Sequence, residues 1–333
     1  MKCITIRVVE DNVKGVDEVM EALALPYSKS TVTCGGQKCF QYSIVMPEEV
    51  VGKIIEQVSQ KIDLRRKENI IYVSDLVATV SPYMERLKQS AGSGNASNPL
   101  EAIVERVDRF LKPSREMSIM VALASAVALI GLYLNNPVII IGGMLLSPLL
   151  GPINAVNVNT CLGKSMRVLR GEFTVLLMLG LAILTSTLGA FFLNQTFGIP
   201  LNEEIMRRTR MTIPDIALAL LLGVGAGLAL TTNIPELLVG VAIAAALIPP
   251  ASVTGIGIAL GRADTMVGAF SLTLMNILGL NIGGIITLTA RGVRPRKYYE
   301  QKKARKYIII TLLTVTIILV LLAAVISWAG LVY

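Results

Sequence analysis

The stretches PVIIIGGMLLSPLLGPINA (residues 137–155) and LVGVAIAAALIPPASVTG (residues 238–255) carry no charge and hold prolines well inside an apolar run. Each is close to the ~20 residues that an α-helix needs to cross the hydrocarbon core. Proline removes a backbone donor and its ring collides with the preceding turn, so both helices are expected to break, at Pro148 and at Pro249–Pro250. In hydrocarbon a carbonyl freed in this way must find a partner or line a wet cavity. The two stretches therefore predict membrane helices that expose backbone polarity at depth.

Working outward, Asp, Glu, Lys and Arg are absent from residues 117–163, 173–202, 216–235, 237–261, 265–290 and 307–333. The chain is 53% hydrophobic and only 16% charged, against about a quarter charged in ordinary soluble domains. Its mean hydropathy is +0.64. A soluble helical core would show polar faces at the helical period. The expected fold class is a polytopic α-helical membrane protein with spans at 117–134, 137–158, 173–193, 214–232, 237–260, 266–290 and 307–332. The first ten residues lack the apolar core of a signal peptide.

Positive residues orient such spans. Arg109, Lys112 and Arg115 precede the first, Lys164, Arg167 and Arg170 follow the second, and eight Lys or Arg lie between Arg291 and Lys306. All fall on one side if the N-terminal region is cytoplasmic, which sets the C-terminus outside the cell membrane. The Arg207, Arg208 and Arg210 group is an exception on the other face. Glu203 and Glu204 soften it, and it fits a short interfacial helix. The net charge of +8 lies beside apolar spans, so it points to anionic headgroups rather than nucleic acid. Arg291, Arg294, Arg296, Lys297, Lys302 and Lys303 are the expected lipid contacts.

The first three spans resemble the next three. GLYLNNP (residues 131–137) and GLALTTNIP (residues 227–235) each sit between the first and second spans of a half, and Pro148 matches Pro249. A three-span repeat inserts its second copy upside down, the inverted plan recurrent in secondary transporters. The expected division is 117–193 and 214–290 for the two repeats, an extracytoplasmic loop at 194–213, a basic cytoplasmic loop at 291–306, and an additional span at 307–333.

Residues 1–80 have a different character. Alternating β-rich runs at 3–9, 28–33, 38–46 and 69–73 surround amphipathic helices at 11–25 and from Pro47. Gly35–Gly36 marks a hairpin, Asp11 or Asn12 is placed to cap the first helix, and Pro26 ends it. The order β-α-β-β-α-β is that of the ferredoxin-like split βαβ unit, a fold that does not name a function. Cys34 and Cys39 flank the hairpin and read as free thiols. Residues 81–116 follow as a polar linker (QSAGSGNASNP, residues 89–99) and an amphipathic helix over 100–112, suited to a membrane surface or a neighbouring subunit.

The chemistry on offer is narrow. The chain has no His and no paired CxxC, so a structural zinc site is not expected, nor any metal or cofactor. No nucleophile stands with a base, so no catalytic residue is identified and the chain is not expected to be an enzyme. GVGAGL (residues 223–228) lies within an apolar span with no strand before it, which rules out a nucleotide fingerprint. Gly279 and Gly283 are placed for helix packing. Glu172, Asp215, Glu236 and Asp264 fall near span ends, leaving no mid-span carboxylate for a proton relay. Polar ligands are then hydroxyls, amides and carbonyls: Ser147, Asn154, Thr254 and Asn276, framed by Pro148, Gly151, Pro152, Pro249 and Pro250. Asn276 is the foremost of these, with an interhelical hydrogen bond as its alternative role.

IGGMLLSPLLGPI (residues 141–153), ALIPPASVTGIGIAL (residues 246–260) and the Asn of LTLMNILGL (residues 272–280) together resemble an uncharacterised hydrophobic-domain family of archaeal and bacterial membrane proteins, a domain of unknown function whose members commonly carry a ferredoxin-like head. The resemblance covers roughly residues 117–290. It implies a fold and supports Ser147, Pro148, Gly151, Pro152, Pro249, Pro250 and Asn276 as positions to test; it implies no activity. The expected function is transport, by a secondary transporter or channel-like protein, of a small solute or ion through a midplane site between the two broken helices. The alternative is a membrane-anchored sensor or assembly scaffold whose head binds the ligand. A homo-oligomer is expected from the head and the seventh span.

Overall fold

A computed structural model describes residues 2–22, 26–46, 48–76, 81, 100–232, 236–296 and 298–328. The expected linker at 89–99, Pro47, Lys297 and the turn at 233–235 lie outside the described residues. The chain forms two compact units, Met1–Ala102 and Ile103–Tyr333.

In the first unit the order is β1 (Lys2–Val9), α1 (Val13–Ala22), β2 (Tyr27–Cys34), β3 (Gln37–Met46), α2 (Glu48–Lys61) and β4 (Ile70–Asp75). The four strands lie in the order β2-β3-β1-β4, and every pairing is antiparallel. β1 is central, and its Ile4, Ile6 and Val8 pack against Val16 and Met20 of α1 and Val51, Ile54 and Val58 of α2. Gly35 and Gly36 turn the hairpin at φ 57° and 86°, the left-handed pair that a two-residue turn requires. Asp11 and Asn12 do not cap α1; they belong to a 3-10 turn, Glu10–Asn12, ahead of it. Asn69 is the buried clasp, accepting from Val9 N at 3.1 Å and donating to the Asp63 carbonyl at 2.8 Å. Cys34 stands opposite Gln37 and Cys39 opposite Val32, and the cysteines are free.

One polar device joins the buried Tyr42 to the surface of this sheet. The Tyr42 hydroxyl donates to Asp17 Oδ1 at 2.7 Å, and Lys29 Nζ reaches both carboxylate oxygens at 2.8 Å. Burial pushes the Tyr42 phenol up to about 12 from its ordinary 10.0. The folded head keeps that proton where the unfolded chain releases it, so the contribution is complete below pH 10 and is lost as pH rises toward 12. Urea unfolding of a head fragment, residues 1–81, should show stability falling between about pH 10 and 12. Tyr42→Phe should shrink that fall and lower stability at pH 7 by about 1–2 kcal/mol through the lost hydrogen bond.

The second unit is helical: α3 (Leu100–Asp108, continuing from the first unit), α4 (Arg115–Tyr133), α5 (Pro137–Leu145), α6 (Leu150–Cys161), α7 (Ser165–Thr196), α8 (Glu203–Met206), α9 (Ile213–Thr231), α10 (Glu236–Ala259), α11 (Ala263–Ala290) and α12 (Tyr298–Trp328). Six of these are long and apolar enough to cross a membrane, and the pair α5–α6, bent by 56°, makes up to seven. The amphipathic helix expected over 100–112 ends at Asp108, whose carboxylate pairs with Arg167, and the Leu111 carbonyl accepts from Thr174 Oγ1 at 3.2 Å. This segment is fastened to α7. The basic loop expected over 291–306 is shorter than that, because Tyr298 already begins α12 and its Lys and Arg ride on the first helical turns.

α9 lies along α11 because glycines let their backbones meet. A Cβ at Gly283 would fall on the Leu220 carbonyl oxygen, and one at Gly223 on the Leu280 carbonyl oxygen. GVGAGL and the Gly279–Gly283 pair are thus two halves of one close contact, as small residues make in membranes. Gly283→Val should lower the melting temperature of the detergent-purified protein by several degrees. Gly180→Ala, where a Cβ meets nothing within 4 Å, should leave it within a degree.

Candidate functional site

At Pro148 the chain behaves as its residues dictate. α5 opens on Pro137 with Asn136 as its cap, the Asn136 Oδ1 accepting from Val138 N at 2.9 Å. It stops at Leu145, and α6 starts only at Leu150. Ser147 precedes a proline and is therefore pushed away from helical geometry. Pro152 falls in the first turn of α6, where its missing N–H has no helical partner to lose. The break opens a cavity of about 280 Å³ lined by Phe110, Leu145, Ser147, Pro148, Leu150, Gly151, Leu237, Gly240 and Val241. A Cβ at Gly151 would stand 2.6 Å from the Phe110 ring, so glycine lets that ring seat over the break. The Ser147 hydroxyl is buried with no partner among the described residues.

At Pro249 and Pro250 the expectation of a matching break is overturned. α10 runs unbroken from Glu236 to Ala259 with both prolines inside it. Pro250 leaves the Ala246 carbonyl, four residues earlier, without its helical donor. Asn276 of α11 supplies one instead, its Nδ2 donating to Ala246 O at 2.6 Å. The foremost expected solute ligand is therefore an interhelical hydrogen-bond donor. Thr254 is likewise occupied, its Oγ1 donating back to Pro250 O at 2.9 Å. Of the residues expected to form one site, Ser147, Pro148 and Gly151 meet at the cavity. Pro152 and Asn154 are buried in α6, and Pro249, Pro250, Thr254 and Asn276 do not line the cavity.

Three features go beyond what the sequence assigned, although Asn154 was among the expected ligands. Asn157 of α6 is wholly buried with both amide atoms unpartnered among the described residues, and Asn154 and Asn281 each bury a carbonyl oxygen in the same condition. Glu172 stands at the edge of the apolar run of α7, seven residues after the helix begins, and accepts from Asn281 Nδ2 at 3.3 Å, a partner the sequence did not indicate. Three Asn within six residues of one helix, at 154, 157 and 159, were the visible signal for the first of these. The third concerns Arg291: Nε and Nη2 are buried without a partner among the described residues, whereas Arg294, Lys302 and Lys303 are exposed as lipid contacts require. Arg296 is half-buried.

Asn276→Ala strands the Ala246 carbonyl and should destabilise the protein by about 1–3 kcal/mol. Pro250→Ala restores an N–H for that carbonyl, so in its background the loss from Asn276→Ala should shrink by 1 kcal/mol or more. A double-mutant cycle on thermal unfolding reads this coupling directly.

Residues 144–282 match the family described as a domain of unknown function, DUF389. The uncharacterized protein MJ0678 of Methanocaldococcus jannaschii is 30% identical over 200 residues, covering 60% of this chain and 62% of that relative. The chain thus spans about three-fifths of the length of the curated relative it matches. No solved structure matches. The stretch that resembles the DUF389 family, residues 144–282, holds both the break at Pro148 and the bond from Asn276.

Proposed function

We propose that this is a membrane transport protein, a secondary transporter or a channel-like protein, that takes a small solute or ion at the break in its second span. The observation that carries the reading is the cavity between the halves of the bent pair α5–α6, with a buried, unpartnered Ser147 hydroxyl in its wall. Irregular backbone at membrane depth is tolerated where it lines a cavity, and discontinuous helices frame the sites of many transporters.

An inverted repeat is part of the proposal. Its support is an exchange of partners: the third span, α7, packs on the fifth, α10, while the sixth, α11, packs on α6 of the second. The exchange of partners fits such a repeat, while the break is one-sided because Asn276 meets the carbonyl that Pro250 frees in α10. The head takes the ferredoxin-like plan and lies in the cytoplasm with the C-terminus outside, in keeping with the basic residues around Arg167 and Arg294. The working form is a homo-oligomer in a bilayer with anionic headgroups, without a cofactor and without catalysis.

The test is a thermal-unfolding screen of the purified protein against ions, amino acids, sugars and nucleotides. A ligand at 100 times its dissociation constant stabilises by about 2.7 kcal/mol, a visible shift. Ser147→Ala should weaken a ligand of this cavity roughly tenfold, about 1.4 kcal/mol, and Gly151→Leu, which displaces Phe110 into it, should abolish the response. The same ligand should then drive flux in liposomes. A response that survives both substitutions and is reproduced by the isolated head would replace transport with sensing.

A further inference from the structure

A second polar centre lies apart from the cavity, where α6, α7 and α11 meet. Asn281 of α11 donates to Glu172 of α7 at 3.3 Å, leaving its own Oδ1 buried and unpartnered among the described residues. Asn157 of α6 lies over Gly284, one turn beyond Asn281, so closely that a Cβ on Gly284 would fall on the Asn157 amide. On the facing side Val156 packs on Gly171, next to Glu172, with its Cγ2 2.9 Å from where a Cβ would be. α6 and α11 run in the same direction here, since Asn157 meets Gly284 while Cys161, one turn on, reaches Ile285 O at 3.8 Å and Thr289 Oγ1 at 3.6 Å. That register sets Asn154, one turn before Asn157, at the level of Asn281. Asn154, Asn157 and Asn281 are 2%, 0% and 5% exposed, and each has an amide oxygen without a donor among the described residues.

Glu172 has no ion pair among the described residues; its hydrogen bond comes from Asn281. Tyr307 of α12 is within electrostatic reach and is uncharged at neutral pH. Glu172 is half-buried, and a carboxylate at apolar packing without a counter-charge is unfavourable; the buried amide oxygens of Asn281, Asn157 and Asn154 on the neighbouring helices need donors as well. One positive charge that accepts oxygen donors satisfies all four groups together. We propose that Glu172, Asn157 and Asn281, with Asn154 behind them, form a binding site for one monovalent metal cation of the sodium and potassium class. Carboxylate and amide oxygens are the ligands of hard cations, and a single carboxylate balances a single charge. The site does not depend on the transport reading: if that reading holds, it is the place of a coupling ion; if it fails, it is a structural ion site.

The test measures thermal unfolding of the full chain in sodium, potassium or choline chloride at equal ionic strength, with saturation binding of radioactive sodium. Sodium or potassium should raise the melting temperature saturably over choline. Glu172→Gln keeps the size and the Asn281 contact but removes the charge. It should be folded in choline and lose the cation response entirely. Asn157→Ala and Gly284→Ala, which displaces the Asn157 amide, should each weaken cation binding at least tenfold. Glu116→Gln, at an exposed carboxylate, should respond as the wild type does. The proposal is overturned by a wild type that melts alike in all three salts, or by Glu172→Gln retaining the response. It is equally overturned if stability rises on acidification with indifference to sodium and potassium, since the occupant is then a proton, or if calcium alone stabilises.

Discussion

The carbonyl of Ala246 must have a donor, and the architecture of the helical unit follows from where that donor comes from. Water would supply it at a protein surface, but no water competes inside apolar packing, where an unmet backbone group is worth several kcal/mol. Pro250 removes the donor that the helix would have given, and Asn276 replaces it from the neighbouring helix. One side-chain bond thus holds α10 straight and fixes the rotation of α11 against it. α11 is the most deeply buried of the long helices, so its rotation in turn sets what α6, α7 and α9 can touch.

The second span lacks such a donor and breaks. Pro148 and Pro249 are equivalent in local chemistry, each after an apolar helical run and each followed shortly by another proline. Their outcomes differ because α11 carries an Asn at the right height beside α10, while the apolar wall of Phe110, Leu237 and Val241 stands beside the α5–α6 turn. The molecule therefore spends its backbone irregularity on one side only, and that side has the cavity.

Close approach is the other constraint. Gly223 and Gly283 bring α9 and α11 into backbone contact, and Gly284 does the same for the Asn157 amide of α6. Small residues at these contacts let amide side chains reach the interior of an apolar bundle, where Asn157, Asn154 and Asn281 are buried and Asn281 reaches Glu172. Amides packed in this way are unfavourable unless satisfied, which is why their grouping reads as a site and not as a packing accident.

Much of this was legible in the sequence. The charge-free runs marked out helices long and apolar enough to cross a membrane, because length and composition are local properties. The alternation in residues 3–9 and 38–46 with Gly35–Gly36 between strands identified the head, because side-chain period and left-handed backbone are local properties. The break at Pro148 was also local. The continuity of α10 was not, since it depends on a donor 26 residues further along the chain, from Pro250 to Asn276. Nor was the role of Glu172, which in sequence borders a span and in space is held by Asn281, 109 residues away. Sequence determines which backbone groups and side chains need partners; only the tertiary structure decides which helix provides them, because that choice rests on the height and rotation at which apolar helices pack.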